Sequence, residues 1–365
     1  MENLRLLKNN EDDIMKNDDK IIIGMPAGSL ANPARGGNLV DLLAKAGFPA
    51  KGYDAGGPTE FTSVDFFFGW DGRPQEFGTQ LAVDELDVAI SGDDWMRERI
   101  LELDMEYGIK IAPEKVLSLH RGNINLVGIV DGASPENTTE EFLSNLIKKQ
   151  DYIRVVTELP YSALSWILDK LKKINAPEKF MKWSIQKYKT PAKIDSGIVI
   201  YEAWGKTEAK LKNGGADIGL EITQTGSALR NYGLKILEWV FQSEAGIWIS
   251  QKIKKDPVKM DLLKMFLINL YGIINAENKV MLYFNVPASS DAGIRSYLQK
   301  NNLYAEEPTI ISGREFSQYC IQLESASKTM PIAKVRYELI KLGARSIETV
   351  PILSSIPDLS VLNLL

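Results

Sequence analysis

From Lys20 onward, short apolar runs alternate with stretches in which apolar residues recur every three or four positions. Ile21 to Met25, Val64 to Phe68 and Leu86 to Ile90 have the length and the β-branched or aromatic character of strands, and Leu39, Leu42 and Leu43 lie at helical spacing. Such alternation predicts an α/β fold. A second block opens on a strand at Ile124 to Val130, then a helix whose start is marked by Thr138 with Glu141 three residues on, a capping box. Phe142, Leu143, Leu146 and Ile147 are its expected buried stripe, and further strands are expected at Tyr152 to Val156, Ile198 to Tyr201 and Ala216 to Ile222. Between 257 and 276, Met260, Leu262, Leu263, Phe266, Leu267, Leu270 and Ile273 predict a long amphipathic helix, read as a connector. Beyond it, a strand at Val280 to Val286, a helix from Asp291, a strand at Phe316 to Ile321, a helix at Pro331 to Leu342 and a strand at Ser346 to Val350 suggest a ferredoxin-like unit. No internal repeat or low-complexity tract is visible.

With 365 residues, 44% hydrophobic and 25% charged, the chain is too long for one typical core and predicts two or three domains. Residues 1–19 carry six acids, three bases and few apolar positions, which predicts a disordered or loosely docked extension. A net charge of -5 offers no general attraction to nucleic acid or anionic lipid, so any phosphate site is a local device and the expected partner is a small molecule. The single cysteine, Cys320, excludes an internal disulfide, is expected in the core, and with the single histidine, His120, cannot build a thiolate or polyhistidine zinc site. Acid and base work falls to carboxylates. No apolar run approaches the ~18 residues that span a bilayer, and the start is unlike a secretory signal, so a cytoplasmic, non-membrane protein is expected.

The strongest local signal is Ala216 to Arg230, where an apolar strand delivers Glu221 and, four residues on, Thr225-Gly226-Ser227 opens a possible helix. Such a turn gathers backbone N–H groups and hydroxyls where a phosphate is favoured, and a carboxylate just upstream suits a ribose diol. The same tripeptide is also what an ordinary polar turn looks like, and spacing does not decide between them.

The stretch resembles the phosphoribosyl-diphosphate loop of the ATP phosphoribosyltransferase family, Ala-Asp-x-x-x-Asp-[Ile/Leu]-x-x-Thr-Gly-x-Thr-Leu, with Gly233-Leu234 supplying the Gly-Leu that follows. Other motifs occur in family order: Pro26-Ala27-Gly28-Ser29-Leu30 for Pro-Lys-Gly-Arg-Leu, Arg73 to Phe77 for Arg-x-x-Asp-[Ile/Val], Asp87 to Asp94 for Asp-[Leu/Val]-Gly-[Ile/Val]-Thr-Gly-x-Asp, and Arg154 to Pro160 for Arg-[Ile/Val]-Ala-Thr-x-[Tyr/Leu]-Pro. Lys279 to Pro287, Glu307-Pro308-Thr309 and Leu339 to Ile347 resemble the regulatory domain of the family's long form. The resemblance implies two periplasmic-binding-protein-like α/β lobes, at 20–118 with 245–278 and at 119–244, plus a ferredoxin-like (ACT-like) regulatory domain at 279–365.

It also implies an Mg²⁺-dependent glycosyltransferase that joins phosphoribosyl diphosphate to N1 of ATP, the first step of histidine biosynthesis, with histidine as feedback effector and a homo-oligomer from dimer to hexamer. Glu221 and Arg73 would be catalytic. Thr223, Thr225, Gly226, Ser227, Ala228 and Leu229 would join Glu221 in holding phosphoribosyl diphosphate, and Gly28, Ser29, Arg73, Ser91, Gly92 and Asp94 would face ATP or pyrophosphate. No residue is assigned to the metal. Three departures bear on this reading: Ala27 and Ser29 replace the family's Lys and Arg, Glu221 replaces Asp, and Ala228 replaces the final Thr. The lost cations favour a paralogous phosphoribosyltransferase with another acceptor as the alternative, and a non-catalytic small-molecule-sensing subunit is the third reading. Arg35 is a candidate compensating cation. Phe66 to Phe68 with Trp70 are read as core, Lys170 to Lys173 and Lys252 to Lys255 as solvated helix faces, and His120 as a satisfied polar contact.

Overall fold

A computed structural model of the chain describes residues 20–27, 38–53, 58–304 and 307–362. The N-terminal extension, Gly28, Ser29 and Arg35 lie outside the described residues. The chain divides into two compact units, residues 1–40 with 50–261 and residues 41–49 with 262–365.

Along the chain run β1 (Ile21–Pro26), α1 (Leu39–Lys45), β2 (Ala50–Lys51), β3 (Thr59–Phe61), β4 (Phe67–Gly72), α2 (Pro74–Ala82), β5 (Val88–Gly92), α3 (Asp93–Tyr107) and β6 (Glu114–Ser118). β1 lies between β4 and β5, parallel to both. Ile21, Ile23, Val88, Ala89 and Ile90 are fully buried. A parallel strand covered on both faces reads as a continuous apolar run, which is why these two strands stand out in the sequence.

The chain then builds a second sheet from β7 (Ile124–Asp131), β8 (Tyr152–Thr157), β9 (Trp183–Lys187), β10 (Gly197–Glu202), β11 (Ile218–Thr223) and β12 (Leu234–Ser243), in the order β12-β7-β11-β8-β10-β9. Its helices are α4 (Thr139–Leu146), α5 (Pro160–Lys173), α6 (Thr207–Lys212) and α7 (Ser227–Asn231). β13 (Ala245–Ile249) returns to the first sheet, antiparallel to both β5 and β6, and completes the order β2-β3-β4-β1-β5-β13-β6. The second lobe is thus inserted in the first. The two crossings run side by side, with the Leu119 N–H donating to the Ala245 carbonyl at 2.9 Å and the Ala245 N–H to that of Arg121 at 2.8 Å. This is the two-lobed, periplasmic-binding-protein-like architecture that the family resemblance implies.

The capping box at α4 forms with a shift of one residue: Thr138 Oγ1 accepts the Glu141 N–H at 3.2 Å, while the Glu141 carboxylate accepts from Asn137 at 3.0 Å. Two other expectations need correcting. The strand expected from Val64 begins at Phe67 and runs on through Gly69, Trp70 and Gly72. Val64 instead closes a turn onto the Phe61 carbonyl, and Gly69 is required because a Cβ there would stand 2.5 Å from Thr59 Cβ. Lys170 is 7% exposed rather than solvated, with Nζ 2.8 Å from Glu140 and 2.7 Å from Glu238. Its position three residues after buried Ile167 turns it onto the packed face of α5.

α8 (Pro257–Ala276) matches the long periodic stretch and spans the division between the units. The C-terminal residues form β14 (Lys279–Pro287), α9 (Asp291–Asn301), β15 (Thr309–Ile311), β16 (Phe316–Glu324), α10 (Ile332–Lys341) and β17 (Arg345–Pro351), an antiparallel sheet of order β15-β16-β14-β17. This is the ferredoxin-like arrangement, closed by Leu282, Phe284, Ile294, Leu298, Val335 and Leu339. Cys320 is only partly buried, because β16 turns its neighbours Tyr319 and Ile321 inward.

Candidate functional site

Parallel strands deliver the lobe-one residues at their C-terminal ends. Ala27 follows β1, Arg73 is the N-cap of α2 after β4, and Gly92 and Asp94 lie at the junction of β5 with α3. With Ile124 and Ile222 of lobe two, they line a cavity of about 460 Å³ between the lobes. Arg73 is exposed and its side chain makes no capping hydrogen bond. Ser91 is not brought to this lining: it is fully buried, its hydroxyl donating to the Gly92 carbonyl at 3.3 Å.

Asp94 is 6% exposed and is held by Ser243 at the end of β12. Burial pushes its carboxyl above the usual range, against the pull of the Ser243 hydroxyl and backbone N–H groups. Gly92 has no space for a side chain, because a Cβ would fall 2.2 Å from Asp94 Oδ1.

On lobe two, Glu221 sits on β11, half-buried, with its Oε2 out of contact with solvent. Burial, followed by the nearby charge of Glu208 and then of Glu158, pushes its carboxyl up to about 7. The Thr207 hydroxyl draws it back, yet neither Thr207 Oγ1 nor Glu221 Oε2 makes a well-formed hydrogen bond.

The turn after β11 is built around Gly226, whose φ of 71° suits glycine and whose N–H donates to Thr223 Oγ1 at 2.9 Å. Thr225 and Ser227 are exposed and joined hydroxyl to hydroxyl at 2.9 Å. Arg230 donates to Ser227 Oγ at 3.0 Å and to the Thr225 carbonyl at 3.3 Å, so a cation stands over the turn. Ala228 is exposed, whereas Leu229 is 2% exposed and packs with Val127, Ile129 and Leu234, leaving only its backbone for a ligand.

The family described as HisG, ATP phosphoribosyltransferase, matches residues 73–269, from Arg73 through both lobes into α8. The chain belongs to the ATP phosphoribosyltransferase family. An ATP phosphoribosyltransferase of Pelodictyon phaeoclathratiforme is 26% identical over 332 residues, 89% of this chain and 94% of that protein. That of Geotalea daltonii is 24% identical over 342 residues, 92% of this chain and 98% of that protein. A chain of the ATP phosphoribosyl transferase (HisG:HisZ) complex from Thermotoga maritima has a TM-score of 0.48 and 14% identity over 68% of this chain and 98% of that one.

Within this ATP phosphoribosyltransferase framework, two motif residues turn out to serve each other. Arg154 of β8 grips Asp217, at the foot of β11, through Nη2 to Oδ1 at 2.6 Å and Nε to Oδ2 at 3.1 Å. Sequence reasoning missed Thr207 and Glu208, which reach Glu221 from α6, and Ser243, which lies 149 residues along the chain from Asp94. Arg230 had a signal, a cation one helical turn beyond the Thr-Gly-Ser turn.

Proposed function

We propose that this chain transfers the phosphoribosyl group of phosphoribosyl diphosphate to N1 of the ATP adenine. The observation that carries the reading is the shared cavity, which brings Arg73, Gly92 and Asp94 of lobe one together with Ile222, the residue that precedes the Thr223 to Leu229 turn, while Glu221 points to the other face of β11. Glu221, with Thr207 beside it, holds the ribose hydroxyls. The turn from Thr223 to Leu229 holds the 5-phosphate through the Thr225 and Ser227 hydroxyls and backbone N–H groups, with Arg230 adding charge. Arg73, Gly92 and Asp94 face ATP and the leaving pyrophosphate, and Gly28 and Ser29 belong to the same side by their place in the motif.

In the reaction, N1 of adenine bonds to C1 of the ribose as the C1–O bond to pyrophosphate breaks. The protein's work is to align the two and to stabilise the departing charge. Mg²⁺, when bound, would supply charge neutralisation for the leaving pyrophosphate. Incubation with phosphoribosyl diphosphate, Mg²⁺ and a panel of purine acceptors, following pyrophosphate release, tests the reading: release with ATP is expected. Release with another base alone favours the alternative acceptor, which Ala27 in the cavity lining supports, since a cation of the family motif is absent where polyphosphate would lie. No release with any acceptor sinks the enzyme reading.

Residues 20–118 with 245–278 are proposed as catalytic lobe one, 119–244 as lobe two and 279–365 as a regulatory domain. Histidine is the proposed effector, a hexamer the assembly and the cytoplasm the location. Among the described residues no helix is long and apolar enough to cross a membrane. Histidine inhibition together with light scattering checks the regulatory part, and a monomer indifferent to histidine overturns it.

A further inference from the structure

α5 begins without a cap of its own. Its N-cap residue is Leu159, Pro160 follows, and its first turn contains no acidic residue, so the N–H groups at its start have no partner in their own segment. Lobe one supplies the partner. Glu98, on α3, accepts the Tyr161 N–H at 2.7 Å through Oε1 and the Ser162 N–H at 2.8 Å through Oε2. Glu98 is 5% exposed, and burial pushes its carboxyl up to about 7 against the pull of Ser162 and Tyr161. A charge kept in so dry a place is held by two charge-assisted hydrogen bonds and the positive end of a 14-residue helix.

The contact stands in a chain of parts that joins the two halves of the cleft. Asp94 precedes Glu98 by one turn of α3 and projects from the same face. α5 follows β8, and β8 pairs with β11, the strand of Glu221, through Val155 with Ile218 and Thr157 with Leu220. Gln75 and Trp95 line the 460 Å³ cavity and also a second one of about 250 Å³ that Glu98 itself lines, so the contact borders the cleft.

We propose that Glu98 is a positioning residue for the transfer reaction, a carboxylate of one lobe seated on the helix start of the other that sets Asp94 and Gly92 at a fixed distance from Glu221. The proposal rests on the cleft reading given above. Phosphoribosyl diphosphate bound on lobe two does not need this contact, whereas its alignment with an acceptor on lobe one does.

Glu98→Gln keeps the side-chain volume but turns an NH₂ group toward a backbone N–H, and Glu98→Ala removes both acceptors. In each, kcat is expected to fall at least tenfold while the Kd of phosphoribosyl diphosphate with Mg²⁺, measured by calorimetry without ATP, stays within twofold. Folded Glu98→Gln with unchanged kcat overturns the proposal, and so does an equal loss of kcat and of phosphoribosyl diphosphate binding. If neither variant folds, hydrogen exchange of the unaltered protein decides: saturating both substrates is expected to slow the Tyr161 and Ser162 amides at least tenfold, and no slowing overturns the proposal. Failure of the unaltered protein to bind phosphoribosyl diphosphate at all sinks the cleft reading instead.

Discussion

Ser243 and Asp94, 149 residues apart, are bonded reciprocally: the Ser243 hydroxyl donates to Asp94 Oδ1 at 2.8 Å and accepts the Asp94 N–H at 3.0 Å. Ser243 ends the strand by which the chain leaves lobe two, so the carboxylate in the cleft is held from the hinge. Ser243→Ala is expected to cost about 1–3 kcal/mol in urea unfolding, because it leaves a buried carboxylate short of a donor. The hydroxyl lowers the Asp94 pKa, so carboxyl NMR of the variant is expected to show Asp94 titrating higher still. A titration unmoved from that of the unaltered protein would show that the hydroxyl does not stabilise the charge.

Gly92→Ala tests the same corner by sterics. A Cβ placed 2.2 Å from Asp94 Oδ1 forces that carboxylate to move. The expected outcome is at least a tenfold loss of kcat/KM for ATP, with phosphoribosyl diphosphate binding on lobe two retained. Equal loss of both in calorimetry and kinetics would count against the separation of the two subsites.

Glu221 titrates near neutrality. Its folded pKa of about 7 lies above the ordinary 4.5. The stability associated with its protonated form is therefore fully present below about 4.5 and is lost as pH rises through about 7. Glu221→Gln lacks this loss, and is expected to be more stable than the unaltered protein at pH ~8 by on the order of 1–3 kcal/mol, the difference shrinking as pH falls. The same change is expected to weaken phosphoribosyl diphosphate binding at least tenfold. Denaturation curves at three pH values check the first statement and calorimetry the second.

Gly226→Val places a β-branched residue at φ 71°, with its Cβ 3.2 Å from Ile236 Cδ1 and 3.4 Å from Arg230 Nη1. The left-handed conformation alone costs about 1–2 kcal/mol, which the lobe-two core can absorb. Phosphoribosyl diphosphate binding is expected to vanish while circular dichroism stays native. Retained binding would remove the turn from the site.

The double change Ala27→Lys with Ser29→Arg restores the two cations of the family motif. If ATP is the acceptor, its apparent affinity is expected to rise, since each added charge meets polyphosphate. Unchanged ATP kinetics would point to another cation, Arg35 first, already in that role.

Much of the framework was legible before any tertiary contact was known. β1, β5 and β10 are buried along nearly their whole length, so each appears as a nearly continuous apolar run, and α8 appears as a full periodic helix because one of its faces must leave water. The strand and the glycine turn between Glu221 and Leu229 were legible for a different reason: they are contiguous, so the local sequence specifies their conformation. Tertiary structure alone decided the rest. It placed Glu98 on the start of α5, Ser243 on Asp94, Thr207 beside Glu221 and Lys170 between Glu140 and Glu238, and it let β4 run on through Gly69 where Thr59 leaves no space for a side chain. Each joins residues of different elements that meet only when the sheets assemble. Local propensity and periodicity report which face of an element is apolar, and say nothing of which distant polar group will be sealed against it.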